Sequence, residues 1–305
     1  MEPSKTGEGR SKTKIGVPSK AHADQQNDQA KQSLEDIKVV LKAMPLVHSR
    51  KYEREEKMYF DSNATTAADM KYFNMLVLIV QVFGVASVVI TAVWMGHFRG
   101  GFAWQSDPSH EFNYHPLFMI IGMVFLYADA ILAYRVFRND RKIYIKILHA
   151  VMHVFALIFA AVGLKAVFDS HNLSTGGPIP NLYSLHSWLG LFVVVCFGLQ
   201  WSLGFISFLW PKLSMGIRTL YMPYHTFWGV VLLVLATATA LMGITEKAIF
   251  HKDDIHYSAL STEAVLINCL GVLLVLFTGF VVYLVTKPEY KRQPSPEEDH
   301  VPLEN

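Results

Sequence analysis

Six long apolar runs decide what this chain can become. They are Tyr72–Trp94, Leu117–Tyr134, Ile143–Phe168, Tyr183–Trp210, Tyr221–Ile244 and Ala264–Val285. Each reaches or approaches the length that crosses a hydrocarbon core about 30 Å thick. In lipid, the backbone polar groups of such a run are satisfied only within the run itself, which predicts an α-helix for each. Tyr72, Trp94, Tyr134, Tyr183, Trp210 and Tyr221 stand at run ends, where an amphipathic ring sits between lipid and water. The expected fold class is an all-α membrane protein of six transmembrane helices, in contact with membrane lipid. Of the 305 residues, 52% are hydrophobic and 17% charged, too apolar a balance for an ordinary soluble domain.

Outside the runs the chain is polar. The expected division is an N-terminal tail over residues 1–70, a membrane domain over 71–287 and a C-terminal tail over 288–305. The first tail is rich in Lys, Ser, Gln and Asp and reads as disordered, with a short amphipathic helix expected between Ser33 and Val47. Near the runs, Arg54, Lys57, Lys71, Arg135, Arg138, Arg141, Lys142, Lys146, Lys212, Arg218, Lys287, Lys291 and Arg292 fall on one side; Arg99, Lys247 and Lys252 fall on the other. The positive-inside rule then places both termini in the cytosol. Asn63-Ala64-Thr65 fits a glycosylation pattern but falls on the cytosolic side, where it would not be used. The net charge of +2 points to no nucleic-acid partner. Cys196 and Cys269 lie inside apolar runs, are not arranged as C-x-x-C, and are expected to be small buried residues.

Histidine carries the functional signal. Of 13 histidines, His97, His115, His149, His153, His171, His186 and His225 lie in or at the edges of spans 1–5, and ionisable groups inside a bilayer mark functional sites by default. Because consecutive spans alternate in direction, the rise of 1.5 Å per residue assigns each a depth. His115 and His186 fall near the outer surface, His149 and His225 near the cytosolic one. A haem needs an axial ligand on each face of the porphyrin, at one depth, from helices that face each other. Two depth-matched pairs on spans 2–5 supply two such sites, and two imidazoles per iron favour electron transfer over oxygen binding. Such irons would stand roughly 20 Å apart along the bilayer normal. His153, one turn beyond His149, matches no partner in depth and is expected to pack beside the inner site. His97 stands alone at an interface. Asp129 is expected to be a hydrogen-bonded helix residue.

Cations at the cytosolic rim, Lys142, Lys146 and Arg218 among them, would attract an anionic donor. Asn181, Tyr183 and Ser184 immediately precede His186 and could hydrogen-bond a haem propionate. The competing reading is a haem-free bundle that moves protons or divalent metals along a histidine-lined path. Pairing at two depths with an apolar gap between them favours electrons, and a reduced-minus-oxidised visible spectrum separates the two.

Local motifs narrow this further. Asn113-Tyr114-His115-Pro116, Tyr134-Arg135-Val136-Phe137-Arg138, Lys146-Ile147-Leu148-His149, the stretch from Asn181 to Trp188 and Met222-Pro223-Tyr224-His225 resemble the cytochrome b561 family. So do Thr245-Glu246-Lys247, Thr286-Lys287-Pro288 and Lys291-Arg292. The resemblance covers about residues 70–292 and is closest to the animal ascorbate-dependent members. It implies two haem b groups per chain, ascorbate as the cytosolic donor, and monodehydroascorbate or a ferric chelate as the outer acceptor. It implies cofactor contacts at Arg135, Lys142, Glu246 and Lys291, ascorbate contacts at Lys142, Lys146 and Arg218, and outer substrate contacts at His171 and Asn172. Asn172 also opens an Asn-Leu-Ser glycosylation pattern. A homodimer is a further family expectation. So is an endosomal, lysosomal, secretory-vesicle or plasma membrane.

Overall fold

The computed structural model describes residues 31–33, 35–36 and 70–292. Residues 31–33 and 35–36 are helical, with the Gln32 amide donating to Asp36 (3.2 Å). The rest of the helix expected over 33–47, Asn63, and most of both polar tails lie outside the described residues.

Residues 70–292 hold six helices long and apolar enough to cross a membrane: α1 (Met70–Phe98), α2 (Pro108–Val136), α3 (Lys142–Asn172), α4 (Leu185–Phe208), α5 (Met215–Phe250) and α6 (Thr262–Thr286). All six expected spans are therefore helices, and the described residues contain no strand. Most extend beyond their apolar runs; α5 starts at Met215 and ends at Phe250, where the run ended at Ile244. Hydropathy marks where lipid stops, whereas intrahelical hydrogen bonding continues into the wet interface. Local signals set some starts. Ser184 and Ser187 form a reciprocal capping box ahead of α4, so Tyr183, expected inside span 4, falls before its helix. The Ser261 hydroxyl accepts from the Ala264 amide at the start of α6 (3.2 Å). Asp107 caps the first turn of α2; hydrogen bonds from Ser109 and His110 hold its carboxyl down to about 2.

Contacts between helix ends fix the relative directions of the helices, antiparallel for α1 with α6 and for α3 with α4, parallel for α2 with α6. Glu263, at the start of α6, accepts from Trp94 Nε1 (2.7 Å) and Arg99 Nη2 (2.5 Å) at the end of α1. Lys146, near the start of α3, donates to the Phe208 carbonyl at the end of α4 (3.0 Å). Arg135, at the end of α2, donates to the Val285 carbonyl near the end of α6. Lys146 and Arg135 thereby supply donors to carbonyls that a helix C-terminus leaves unpaired.

Two packing modes hold the bundle. Along α6, Glu263, Ile267, Leu270, Leu274, Phe277, Val281 and Leu284 are all buried; their alternating four- and three-residue spacing is a heptad seam. Between α2 and α3 the seam is made of small residues, Gly122 against Ala156, with Ala160 and Gly163 also buried. Without a hydrophobic force between helices in lipid, such close backbone approach supplies the association energy. The opposite faces are apolar and exposed, as along α1 at Met75, Leu78, Val82, Val85 and Val89, the pattern of helices bathed in lipid. Cys269 lies on such a face, exposed rather than buried as expected, because its heptad position points away from the seam. Asp129 of α2 accepts from Gln81 of α1 (2.7 Å), which agrees with its reading as a hydrogen-bonded helix residue.

A Cβ at Gly122 would stand 2.8 Å from Phe159 Cβ and 2.9 Å from the Ala156 carbonyl oxygen, neither of which can swing aside. Gly122→Val is expected to push α2 from α3 and cost about 1–3 kcal/mol, read as a lowered thermal midpoint of the purified protein.

Candidate functional site

The structure brings four of the seven membrane histidines together as two facing pairs. His115 of α2 and His186 of α4 have ring centres 6.0 Å apart with planes at 88°. His149 of α3 and His225 of α5 have ring centres 6.3 Å apart with planes at 68°. The first pair shares its end of the bundle with the α1–α2 and α3–α4 connections, the second with the α2–α3 and α4–α5 connections.

Three of the four rings are held by the backbone of a neighbouring helix. His115 Nδ1 bonds the Gly163 carbonyl (3.1 Å), His149 Nδ1 the Ala130 carbonyl (2.8 Å) and His186 Nδ1 the Thr239 carbonyl (2.9 Å). A carbonyl only accepts, so Nδ1 carries the hydrogen in these three, and Nε2 keeps its lone pair. His225 differs: its Nδ1 is buried without a hydrogen-bond partner, while its backbone carbonyl accepts from Gln200 Nε2 (2.6 Å). Glycines make room for two of the rings. A Cβ at Gly243 would lie 2.6 Å from His186 Cε1, and one at Gly204 would lie 2.7 Å from His225 Cε1. Gly163, Gly204 and Gly243 were not singled out in the sequence. The available signal was a glycine inside an apolar run at the depth of a histidine on the facing run.

The other expected residues divide by end. Around the first pair is a cavity of about 860 Å³ lined by His115, His186, His171, Asn181, Tyr183, Ser184 and Glu246. His171 Nδ1 and Asn181 Oδ1 are 3.1 Å apart, and Asn181 Nδ2 donates to Asn172 Oδ1 (2.9 Å), so the expected outer residues form one network. Arg99 and Lys247, given no site role from the sequence, line the same cavity, with Lys247 Nζ 4.1 Å from the Phe112 ring centre. Around the second pair, the Phe208 ring packs on both Tyr221 (5.6 Å) and His225 (5.3 Å), and Lys146 is bonded to the Phe208 carbonyl. Arg218 Nε and the Tyr221 hydroxyl are buried without hydrogen-bond partners. Lys142 begins α3 at this end and is exposed. Arg135 is engaged with α6, and Lys291, also exposed, follows the last short helical turn after α6. His153 is buried against His149 (4.4 Å), Tyr127 (5.1 Å) and Phe197 (5.2 Å), as expected for a residue packing beside that site. His97 stays apart, its ring against Phe98.

The arrangement suits a flat metallo-macrocycle between each pair. A metal–imidazole bond of about 2.0 Å puts a ring centre about 3 Å from the metal, so two axial rings stand about 6 Å apart. Both observed separations agree with that distance, and the orphaned polar atoms at the second end suit an anionic group there. Six apolar helices define a multi-pass membrane protein, and the opposed imidazoles between them would suit a haem.

Comparison with known proteins fixes the family. Residues 114–251 match the family described as eukaryotic cytochrome b561. The chain is 43% identical over 241 residues to the transmembrane ascorbate-dependent reductase CYB561 of Homo sapiens, covering 79% of this chain and 92% of that protein. It is 46% identical over 224 residues to the Sus scrofa protein of that name, covering 73% and 86%. It is 43% identical over 211 residues to the plasma membrane ascorbate-dependent reductase CYBRD1 of Xenopus laevis, covering 68% and 73%. The chain belongs to the cytochrome b561 family, which implies b-type haem.

The glycine cradles make a direct check. Gly243→Val should displace His186 and Gly204→Val should displace His225, each lowering haem per chain in the purified protein. Gly176→Val, where nothing lies within 4 Å of an added Cβ, should leave haem content unchanged.

Proposed function

We propose that this chain carries electrons across a membrane, from cytosolic ascorbate to an acceptor on the opposite face, through two haem b groups each held by two histidines. The observation that carries the reading is the pair of opposed imidazoles at each end, at 6.0 and 6.3 Å. His115 and His186 would hold the outer haem, His149 and His225 the inner one. The two groups would supply one-electron redox chemistry at each membrane face.

The chain's own residues account for the rest. Carbonyls that fix Nδ1–H aim Nε2 and raise its basicity as a ligand. Held by His115 and His186, and by His149 and His225, each haem would supply electron transfer rather than binding of small molecules. The wall between the sites is aromatic and close-packed: Tyr127, Phe197 and His153 pack together, and the Tyr127 hydroxyl donates to the Gly229 carbonyl (2.7 Å).

The concentration of Lys and Arg at the His149 end supports a cytosolic placement of that end and of both termini. Ascorbate is a monoanion near neutral pH. Lys142, Lys146 and Arg218 would draw it to this rim, and the unpaired Arg218 Nε and Tyr221 hydroxyl offer hydrogen bonds to it or to a haem propionate. Arg135, Lys142 and Lys291 would share the inner cofactor's anionic edge. On the outer side, Asn181, Tyr183, Ser184 and Glu246 would border the outer cofactor, and the His171–Asn181–Asn172 network would meet the acceptor, monodehydroascorbate or a ferric chelate.

Single substitutions test the ligand assignment. His115→Ala or His186→Ala should lose the outer haem and spare the inner, and His149→Ala or His225→Ala should do the reverse. Pyridine-haemochrome assay of each purified variant reads this directly. Two haems per chain in all four variants would sink the assignment.

The donor site has its own test. Lys146→Gln or Arg218→Gln should leave the haem spectrum intact and slow reduction by ascorbate about tenfold, if about 1.4 kcal/mol of charge-assisted binding is lost. Reduction by a small uncharged donor should change far less. Equal slowing with both donors in stopped-flow traces would mean that the substitutions disturb the haem itself, and the site would be abandoned.

A further inference from the structure

Glu111 is the most anomalous side chain in the bundle. It is 0% exposed, and neither of its carboxyl oxygens has a hydrogen-bond partner. A buried polar group with no partner calls for an explanation. Its neighbour across the α2–α3 contact is the Asp169 carboxyl. Asp169 is already served: Gln105 Nε2 donates to it (2.7 Å), and so does Lys165 Nζ.

Ionised carboxylates only accept hydrogen bonds. An ionised Glu111 facing an ionised Asp169 therefore stays unsatisfied however close they come, and like charges out of water repel. One proton removes both costs, because a protonated Glu111 donates to Asp169. The charged groups that face Glu111 are Asp169 and Lys165, both on α3, and Lys165 is committed to Asp169. Among the described residues, the cation facing Glu111 is thus already engaged by another carboxylate.

Position gives that proton a use. Glu111 precedes His115 by one turn of α2, and Asp169 precedes His171 by two residues. The pair thus lies at the outer end of the bundle, one helical turn from the outer histidine site. Glu111 is sealed, while the Asp169 side chain keeps 22% of its surface exposed, an exit to water.

We propose that Glu111 and Asp169 share one proton and form the redox-linked proton site of the outer face, a role that rests on the electron-transfer function above. An electron arriving at the outer site adds negative charge beside Glu111 and tightens its hold on the proton; the electron's departure releases it. An organic radical anion such as monodehydroascorbate gains one electron and one proton to become the ascorbate monoanion. Ascorbate on the cytosolic face supplies the electron, Glu111 the proton, and water at the outer face restores it through Asp169. A ferric chelate would take the electron alone.

Electrode-driven reduced-minus-oxidised infrared difference spectra of the haem-loaded protein test this without ascorbate, so failure of the donor assignment leaves the result readable. The wild type should show a protonated-carboxyl C=O band that shifts in D2O. Glu111→Gln, similar in volume and unable to ionise, should lose the band while the visible haem spectrum stays. Glu111→Asp should keep a displaced one. The outer haem's midpoint potential should depend on pH in the wild type and lose that dependence in Glu111→Gln. A wild type with no such band, or a band that persists unchanged in Glu111→Gln, would overturn the proposal.

Discussion

The arrangement depends on hydrogen bonds from histidine Nδ1 to backbone carbonyls of the adjacent helix. His115 of α2 bonds Gly163 of α3, and His149 of α3 bonds Ala130 of α2. His186 of α4 bonds Thr239 of α5, and Gln200 of α4 bonds the His225 carbonyl of α5. These bonds tie α2 to α3 and α4 to α5 near both ends of each pair. The imidazoles, by contrast, face from α2 to α4 and from α3 to α5. Each tied pair therefore contributes one ring to each end. In each of the three imidazole bonds a helical carbonyl, already accepting from its own helix, uses its second lone pair. Such a bond orients the ring and fixes its tautomer together, which removes the orientational freedom a ligand would otherwise lose on binding; His225 is held instead through its backbone by Gln200.

Small residues follow from that constraint. A ring lying against a helix backbone needs a glycine there, as at Gly204 and Gly243. Helices carrying rings bonded to one another must approach closely, as α2 and α3 do at Gly122 and Ala156. The outer helices α1 and α6 are held differently, by a heptad seam and by Glu263 anchoring Trp94 and Arg99. The bundle thus separates a tightly specified interior from a flank that packs by shape and one buried ion pair.

Much of this was legible in the sequence because lipid leaves so few options. Apolar length alone implies six helices, and alternation of direction implies depth, so the spans by themselves match His115 with His186 and His149 with His225. The rest was hidden because it lives in the backbone. No residue pattern announces that the carbonyls of Gly163, Ala130 and Thr239 will receive imidazoles, since any residue has that carbonyl. Glu111 was hidden for another reason: it lies ahead of the apolar run that began at Leu117, and only the extension of α2 to Pro108 buries it. Lys146 and Arg135 show how charge misleads in the same way. Both read as rim cations, and both also bond to the carbonyls that end α4 and α6, so each has a structural task alongside any role at a site.

The central claim is that each end of the bundle holds one haem between two protein imidazoles. Electron paramagnetic resonance of the oxidised wild-type protein, combined with its haem-to-protein ratio, tests it most directly. Two haem b per chain, both low-spin and with separate signals, is the expected result. A single haem per chain, or a high-spin centre with an open axial position, would contradict it.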